Sequence, residues 1–415
     1  MRVLNVNVSD QTGSRFNNIS ASHALAQEGI DSRFLVWKVE SGRPDVSRIF
    51  RFPGSRRLAR NISKIERAIS THADLHLQSF ILPMHSAFQK ADVVHYHVIY
   101  DGYFSIRALP YLSDLKPSVW TFHDPWPMTG HCIYPMACER WKTGCGACPD
   151  LAAPFPMKRD RTRELFRLKK RVLKHSNFDV IVASDAMKRM ADQSPIASRL
   201  PKHVVPFGVN LTTFQPRSPA SARSRLGVDP DAFVIAVRAM PGAFKGYDRF
   251  VAALDHVSSS RRLSIITTDY VGDLNKHIGR HQIVELGWVK DDQTMQDIYA
   301  ACDLFVMPSR AEAFGMMAIE AMASGRPVLV TDDSWLPEVV HAPYAAAVSR
   351  PDPASLGAAI SGLIADNGRR LELGARARLV AETQYDERIF AKHLADVYRR
   401  VYERRGGRIR RGRVQ

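Results

Sequence analysis

The chain has 415 residues, of which 45% are hydrophobic and 24% are charged, a composition typical of a folded chain with room for two domains. Its net charge of +16 at pH 7 indicates an anionic partner, which can be a nucleic acid, an anionic membrane surface or an anionic substrate. No apolar run approaches the roughly 20 residues that cross a bilayer.

The chain begins with a short apolar run that Asp10 ends, which predicts a first β-strand rather than a secretion signal. We therefore expect a cytoplasmic protein. Strand and helix patterns then alternate in a first series. Its strands are expected at Val3–Val8, Ser32–Lys38, Asp92–His97, Ser118–His123, Asp179–Ser184 and His203–Pro206, and its helices include Asn17–Gln27 and Arg161–Lys174.

A second series of strand and helix patterns follows a boundary that we place near residues 205–210. Its strands are expected at Ala232–Val237, Leu263–Thr267, Gln282–Leu286, Leu304–Met307 and Pro327–Thr331, and its helices at Tyr247–Val257, Asp292–Ala300 and Met316–Ala323. Such alternation predicts parallel sheets covered by helices on both faces. The fold class is therefore α/β, with two Rossmann-like domains facing a central cleft.

The most informative segment lies around Glu312 and Glu320. Glu312 follows the strand Leu304–Met307, and Glu320 lies about one turn inside the helix Met316–Ala323. Ligands bind at the carboxyl ends of strands in open α/β sheets, and the first N–H groups of a helix favour an anion such as a diphosphate. Two carboxylates beside an anion site suit a sugar nucleotide.

Two cations follow the first strand of the second series, Arg238 directly and Lys245 after a turn-rich loop. A diphosphate leaving group gains charge as the bond to the sugar breaks, so fixed cations there stabilise the transition state more than the ground state. Because side chains supply both cations, we expect no catalytic metal. The absence of an Asp-x-Asp metal motif in a suitable place agrees.

Four of the five cysteines fall within seventeen residues, at Cys132, Cys138, Cys145 and Cys148. In a reducing cytoplasm such a cluster favours a structural zinc held by four thiolates. Unbound thiols, disulfides and an iron–sulfur cluster are the alternatives. Cys302 precedes a buried strand and is expected in the core.

Basic residues form three clusters, whose members are Arg51, Arg56, Arg57, Arg60, Lys64 and Arg67; Lys158, Arg159, Arg161, Arg163, Arg167, Lys169, Lys170, Arg171 and Lys174; and Arg399, Arg400, Arg404, Arg405, Arg408, Arg410, Arg411 and Arg413. None is interleaved with aromatic residues as a single-strand binder requires, and we find no nucleic-acid motif. The clusters suit an anionic membrane surface, at roughly 1 kcal/mol per nearby basic residue. A merely solvated basic surface is the alternative.

The segment around the two glutamates resembles the Glu-x7-Glu signature of retaining GT-B glycosyltransferases, family 4 in particular. The resemblance includes Phe-Gly after Glu312 and Glu-Ala-Met-Ala-x-Gly-x-Pro-Val from Glu320. The segments His95–His97 and His123–His131, together with the cysteine pattern, are similar to an exopolysaccharide or colanic-acid-type subgroup.

The resemblance implies a role for each matched residue. Glu312 would grip the hydroxyls of the donor sugar and stabilise positive charge at its anomeric carbon, and His123 would lie near the reacting centre. Glu320 would take the ribose hydroxyls. The remaining donor contacts would come from Arg238, Lys245, Phe314, Gly315, Met316, Met317 and the single glycine of the first loop, Gly13.

The resemblance also implies three regions. Residues 1–205 would form the acceptor-side domain, with the cysteine-rich loop at 131–149. Residues 206–385 would bind the nucleotide sugar, and residues 386–415 would form a helix that packs back on the first domain, plus a basic tail.

The sequence therefore predicts a retaining glycosyltransferase that needs no metal for its chemistry and moves a sugar from a UDP-, GDP- or ADP-sugar to a saccharide acceptor. We expect a lipid-linked acceptor, in exopolysaccharide or surface-polysaccharide biosynthesis at the inner face of the cytoplasmic membrane. The alternative is a non-catalytic nucleotide- or polyanion-binding protein on the same scaffold. A Rossmann oxidoreductase is disfavoured, because no Gly-x-Gly-x-x-Gly follows the first strand.

Overall fold

A computed structural model describes residues 1–11, 14–50, 52–152, 155–239, 244–269 and 272–407. The chain divides into two compact units. The first unit contains Met1–Pro206 and the residues from Arg388 onward, and the second contains Phe207–Glu387.

The first unit is built on a parallel sheet with the strand order β3-β2-β1-β4-β5-β6-β7. Its strands are β1 Arg2–Ser9, β2 Asp31–Lys38, β3 Val46–Arg48, β4 Val93–Tyr96, β5 Ser118–Thr121, β6 Phe178–Val182 and β7 Lys202–Val204. Its helices are α1 Ser22–Gln27, α2 Ser55–Ala68, α3 Ser86–Lys90, α4 Leu109–Leu115, α5 Thr162–Lys174 and α6 Asp185–Gln193, and a 3-10 helix covers Leu77–Met84.

The second unit contains another parallel sheet, with the order β10-β9-β8-β11-β12-β13. Its strands are β8 Phe233–Ala239, β9 Leu263–Asp269, β10 Gln282–Glu285, β11 Leu304–Met307, β12 Val328–Thr331 and β13 Ala347–Ser349. Its helices are α7 Pro219–Arg225, α8 Tyr247–Ala253, α9 Asp292–Ala301, α10 Met316–Ala323, α11 Leu336–Val339, α12 Pro353–Ala365 and α13 Asn367–Gln384, and helix α14 follows at Glu387–Arg404.

The strands coincide with the apolar runs of the sequence because helices cover parallel sheets on both faces. β4, β5, β11 and β12 are buried at every residue. The cluster that forms the core of the second unit combines β8 and β11 with α8 and α12. Both units therefore have the α/β architecture with parallel sheets that the alternating pattern predicts.

The helix predicted over Asn17–Gln27 is wrong in its first half, because α1 begins only at Ser22. Asn18 has a φ of +71°, which a right-handed helix cannot contain. Its side chain donates a hydrogen bond to Asn5 in β1, 2.9 Å away. A tertiary contact therefore replaces helix formation here. The short strands β3 and β13 were not predicted, because three residues carry too little periodicity.

Helix α14 packs against the first unit through polar as well as apolar contacts. Tyr398 is fully buried, and its hydroxyl lies 2.7 Å from Nδ1 of His95. Arg404 pairs with Asp179 of β6. Within the part of the chain that the structure describes, no helix combines the length and hydropathy needed to cross a bilayer.

Some residues of the predicted basic clusters are not available to a partner, which corrects the membrane interpretation in part. Lys169 is buried, and its ammonium donates to the carbonyl oxygens of Trp126 and Thr129, 2.7 and 2.9 Å away. The guanidinium of Arg405 donates to two carbonyl oxygens at the end of α4. Lys169 needs such partners because its charge is buried. Arg404 and Arg405 are paired at exposed positions.

A glycine controls how two loops of the second unit approach each other. Gly246 has a φ of +65°, and a Cβ there would lie 1.8 Å from the carbonyl oxygen of Pro308. Gly227 has the same φ, but its Cβ would meet nothing within 4 Å. Comparing substitutions at these two glycines therefore separates the free-energy cost of the left-handed backbone from the cost of the close approach to Pro308.

We expect Gly246→Ala to lower the free energy of unfolding by about 1–3 kcal/mol more than Gly227→Ala. In both variants the left-handed backbone costs about 1–2 kcal/mol. Only Gly246→Ala must also displace a carbonyl group. Chemical denaturation followed by circular dichroism measures the difference. Equal destabilisation by the two substitutions would show that the two loops do not meet as described.

Candidate functional site

The predicted donor-site residues of the second unit lie on two adjacent loops. β8 and β11 are paired in the sheet, with Val237 beside Val306, so the segments that follow them leave the same edge. One segment carries Lys245 and Gly246 into α8, and the other carries Glu312 and Gly315 into α10. Ligands of open α/β sheets bind at this edge.

Backbone hydrogen bonds join the two loops. The N–H groups of Arg310 and Ala311 both donate to the carbonyl oxygen of Phe244, at 2.8 and 3.1 Å. The guanidinium of Arg310 also pairs with both carboxylate oxygens of Asp248 in α8, at 2.6 and 2.5 Å. This pair lowers the pKa of Asp248, chiefly through the hydrogen bond from Arg310. The loops are thus held against each other on both sides of Lys245.

Lys245 and Glu312 form an ion pair in which Nζ lies 2.5 Å from Oε2. The two side chains are only 16% and 13% exposed, so both charges are largely removed from water while remaining reachable. Sequence reasoning gave Lys245 to the diphosphate and Glu312 to the sugar, and it did not foresee that they contact each other.

Gly315 lies directly before α10 with a φ of +95°. A Cβ at this position would lie 2.5 Å from Cδ2 of Leu336 and 3.4 Å from Cγ of Glu312. The positive φ favours glycine at this entry to α10, and any side chain there would also have to displace Leu336. The first N–H groups of the helix, at Gly315, Met316 and Met317, belong to the terminus that has no carbonyl partner within the helix.

The two remaining predicted residues of this segment have buried side chains. The ring of Phe314 packs edge-on against Phe207 and Tyr385, with centroids 5.3 and 5.6 Å away. Glu320 is fully buried, and the hydroxyl of Tyr299 in α9 donates to its Oε2 at 2.8 Å. Tyr299 was missed by sequence reasoning, because nothing local marks a tyrosine 21 residues away as a partner.

Arg238 lies inside β8 rather than after it, and its side chain is half-buried. Gly13 lies outside the described residues. The proposed roles of both residues stay predictions.

In the first unit, His123 follows β5 and lies beside His97, with His123 Nε2 and His97 Nδ1 separated by 3.0 Å. Phe16 contacts the imidazole with ring centroids 5.0 Å apart. Burial lowers the pKa of His123 to about 3. The ring is therefore neutral at pH 7.

Asp124 and the turn after it are fixed by buried contacts. Asp124 accepts hydrogen bonds from the hydroxyl of Tyr100 and from the N–H of Trp126. Burial raises the pKa of Asp124 to about 6. Lys169 lies over the ring of Trp126, with Nζ 3.4 Å from its centroid, and burial lowers the pKa of this lysine to about 7. These contacts hold the turn that follows His123 in place.

The four clustered cysteines line one small pocket together with Trp141. All four are free thiols, and the N–H of Gly130 donates to Cys145 Sγ at 3.2 Å. Among the described residues, no three His, Cys, Asp or Glu side chains stand in a metal-binding arrangement. Burial raises the pKa of Cys132 to about 12, so this thiol is protonated at neutral pH when no cation is near. Cys302 is buried in the second unit, where the sequence predicts it.

Helix α2 has a basic and partly apolar exposed surface, which we call the α2 surface. Its basic members Arg56, Arg57, Arg60, Lys64 and Arg67 are exposed. Leu58 and Ile65 on the same helix are 44% and 53% exposed. The buried carboxylate of Glu66 fixes the helix by accepting the N–H groups of Asp74 and Leu75, at 2.8 and 2.7 Å.

Comparison with protein families identifies part of the second unit. Residues 232–366 match the family described as "Glycosyl transferases group 1". This segment contains the joined loops, the Lys245–Glu312 pair and Glu320.

Two relatives are similar over part of the chain. A D-inositol 3-phosphate glycosyltransferase of Xylanimonas cellulosilytica is 32% identical over 222 residues, which cover 50% of this chain and 53% of that protein. A proposed colanic acid biosynthesis glycosyl transferase of Escherichia coli, WcaC, is 35% identical over 89 residues, covering 20% and 22% of the two chains. The first match thus spans about half the length of the relative.

Two solved structures share the fold over nearly the whole chain. Sucrose-phosphate synthase from Thermosynechococcus elongatus superposes with a TM-score of 0.70 at 18% identity, covering 97% of this chain and 100% of that one. Anabaena Alr3699/HepE in complex with UDP-glucose gives a TM-score of 0.64 at 16% identity, covering 98% and 99%. These neighbours and the two parallel sheets confirm the predicted GT-B fold class, and residues 232–366 are similar in sequence to group 1 glycosyltransferases.

Proposed function

We propose that the protein is a retaining glycosyltransferase that uses a nucleotide-diphosphate sugar. The observation that carries the proposal is the Lys245–Glu312 pair, which lies between the starts of α8 and α10, where Gly246 and Gly315 have positive φ angles. It places a cation, a carboxylate and helix N–H groups at one sheet edge. That combination matches the charges of a sugar diphosphate, and the match to group 1 glycosyltransferases covers the same residues.

Lys245 would bind the diphosphate in this reaction, with Arg238 as the second cation. Binding would release Glu312 from its pair with Lys245, so that the carboxylate can accept hydrogen bonds from the donor sugar and stabilise positive charge at the anomeric carbon. Glu320, oriented by Tyr299, would accept ribose hydroxyls. The leaving phosphate would take the proton of the acceptor hydroxyl on the same face of the sugar, which retains the configuration without a metal.

A saccharide is the acceptor that we propose, carried on a lipid at the inner face of the cytoplasmic membrane. The α2 surface supports this part of the proposal, because exposed basic residues beside exposed Leu58 and Ile65 combine attraction to anionic headgroups with apolar contact. The similarity to WcaC supports a role in exopolysaccharide or surface-polysaccharide biosynthesis.

We expect Lys245→Met and Glu312→Gln each to slow sugar release from the donor by about 100-fold or more, the usual cost of removing one preorganised electrostatic contact. Slow donor hydrolysis is measured with UDP-, GDP- and ADP-sugars, and the anomeric configuration of a transferred sugar is read by NMR. Lys276→Met is the control, since Lys276 pairs with Asp255 at an exposed site of the same unit.

A wild-type protein that binds nucleotides but neither hydrolyses any of these donors nor labels a saccharide acceptor would contradict the enzyme proposal. That result would favour the non-catalytic nucleotide-binding alternative. Product with inverted configuration would contradict only the retaining mechanism.

We expect the double variant Arg57→Ala/Lys64→Ala to weaken binding to vesicles that contain anionic phosphatidylglycerol by about 2 kcal/mol, or roughly thirtyfold, at low salt. Cosedimentation measures the affinity. The control is Arg369→Ala/Arg376→Ala, which removes two arginines from α13. The membrane proposal would be contradicted if the test variant bound anionic vesicles as tightly as wild type does. It would also be contradicted if wild type bound neutral and anionic vesicles equally well.

A structural zinc in the four-cysteine pocket is also a proposal. The shared pocket supports it, although the thiols as they stand are not arranged as a ligand set, so binding would require the loop at 131–149 to close. Such a zinc would stabilise the loop and take no part in the chemistry.

We expect protein purified without chelator to carry about one zinc per chain, because four thiolates complete its coordination. Cys145→Ser should lose the metal, whereas Cys302→Ser, outside the pocket, should keep it. Elemental analysis measures the content. Metal-free wild-type protein with full activity would end the zinc interpretation.

A further inference from the structure

A chain of buried polar side chains leads from the core of the first unit to His123. Its members Asn5, Asn18, His95, His97 and Tyr398 are all nearly or completely inaccessible to solvent. They come from β1, the segment before α1, the end of β4 and helix α14. Buried polar groups are costly unless each donor meets an acceptor, so the positions of the protons in this chain can be deduced.

The orientation of the Asn5 amide is the starting point. Its Nδ2 donates to the carbonyl oxygen of Arg33, 3.4 Å away, and its Oδ1 accepts from Nδ2 of Asn18 at 2.9 Å. If the amide were turned over, its NH2 group would face that of Asn18, and its oxygen would face the carbonyl oxygen. Both contacts would be repulsive with Nδ2 of Asn18 directed at Asn5 and at the Tyr398 oxygen, so this orientation of Asn18 places Oδ1 of Asn5 toward Asn18 and His97.

The Asn5 oxygen decides which nitrogen of His97 carries the proton. Nε2 of His97 lies 3.1 Å from Asn5 Oδ1, which can only accept, so Nε2 donates. Nδ2 of Asn18 is farther from this nitrogen, at 3.5 Å, and has closer acceptors in Asn5 and Tyr398. Burial lowers the pKa of His97 well below its usual value, so the ring is neutral at pH 7 and carries one N–H. Its Nδ1 is therefore an acceptor.

The same reasoning locates the proton on the ring of His123. Its Nε2 lies 3.0 Å from Nδ1 of His97, which can only accept, so Nε2 of His123 carries the hydrogen. Because this ring is also neutral at pH 7, its Nδ1 carries no proton.

We propose that His97, oriented by Asn5 and Asn18, is a positioning residue that holds His123 in the tautomer with the proton on Nε2 and the lone pair on Nδ1. This inference deepens the proposed function and rests on it, since a role near the reacting sugar is what gives the tautomer a consequence. In this tautomer Nδ1 of His123 can accept a hydrogen bond and cannot donate one.

A second layer keeps the His97 ring in place. The ring of His95 lies against it with centroids 4.0 Å apart. Nε2 of His95 lies 2.7 Å from the hydroxyl of Thr121, and Nδ1 lies 2.7 Å from the hydroxyl of Tyr398 in α14. Asn18 also donates to the Tyr398 oxygen, at 3.0 Å. The C-terminal helix therefore contributes directly to the order around His123.

The tautomer can be read without any activity measurement. Full-length protein labelled with ¹⁵N-histidine is studied by two-bond ¹H–¹⁵N correlation NMR, and the His123 signals are assigned with His123→Gln. We expect Nε2 of His123 at the shift of a protonated ring nitrogen and Nδ1 at the shift of an unprotonated one, unchanged from pH 6 to pH 9. A proton on Nδ1 of His123 in wild type would overturn the proposal.

Variants at position 97 test whether this residue sets the tautomer. His97→Leu removes the acceptor, and we expect His123 to become a mixture of tautomers. His97→Asn keeps an acceptor oxygen at the position of Nδ1, and we expect it to restore the wild-type pattern. His203→Leu is the control, because it removes a hydrogen-bonded histidine from β7 of the same sheet without touching this chain.

With a donor that wild type uses, we expect His97→Leu to lower kcat by about 10- to 100-fold and to leave KM within about twofold of the wild-type value. The loss in kcat is part of the rate enhancement that a positioned proton acceptor contributes. His97→Asn should recover most of the loss. If His97→Leu leaves both the His123 signals and kcat unchanged, or if His97→Asn is no better than His97→Leu, His97 is not a positioning residue.

The failure of this inference can be told from the failure of the proposed function. If wild type transfers no sugar, the NMR measurements still decide whether His97 sets the tautomer. If wild type is active but the tautomer is the opposite one, only the inference fails. If His97→Leu does not fold, the wild-type spectrum and His97→Asn still decide it.

Discussion

The close approach of the Gly246 backbone to the carbonyl group of Pro308 is the constraint on which the candidate donor site depends. It lets the two loops share backbone hydrogen bonds at Phe244, and it brings Lys245 to Glu312. The ion pair is not the main cause of this arrangement, since the cost of removing two charges from water offsets much of their attraction. Backbone packing therefore fixes the loops, and the charges occupy positions already determined. A site built in this way loses little energy to reorganisation when charge develops in it.

The two units prepare their functional side chains by different physical means. In the second unit, the missing side chain at Gly246 allows two main chains to meet, and the charged groups remain partly accessible. In the first unit, buried donors and acceptors fix the imidazole of His123. This residue is partly exposed, whereas the side chains that position it are buried. A diphosphate needs several fixed charges and N–H groups at once, whereas a hydroxyl needs one acceptor in one direction. The difference in construction matches the ligand chemistry that we propose for each unit.

The sequence predicts features that depend on neighbouring residues. Leu304–Met307 and Met316–Ala323 have the bounds expected from an apolar run, a following glycine and a proline. It could not predict the features that depend on distant residues. Nothing near Glu320 indicates Tyr299, and nothing near His123 indicates Tyr398, which is 275 residues away along the chain. Asn18 leaves its predicted helix for the same reason, because its hydrogen-bond partners lie in β1 and α14.

The net charge of the sequence likewise does not show which basic residues are exposed, and this matters for the proposed membrane contact. The net charge of +16 treats every basic residue as available, yet Lys169 is buried over Trp126 and Arg404 neutralises Asp179 inside the first unit. A cation used in this way adds little to the attraction of a distant anion, because its field is offset by its partner. The exposed basic residues of α2 lie on the same helix as Leu58 and Ile65, which are apolar and also exposed. An interfacial surface needs both properties on one face, and this requirement, rather than the total charge, is what favours α2 as the membrane-facing element.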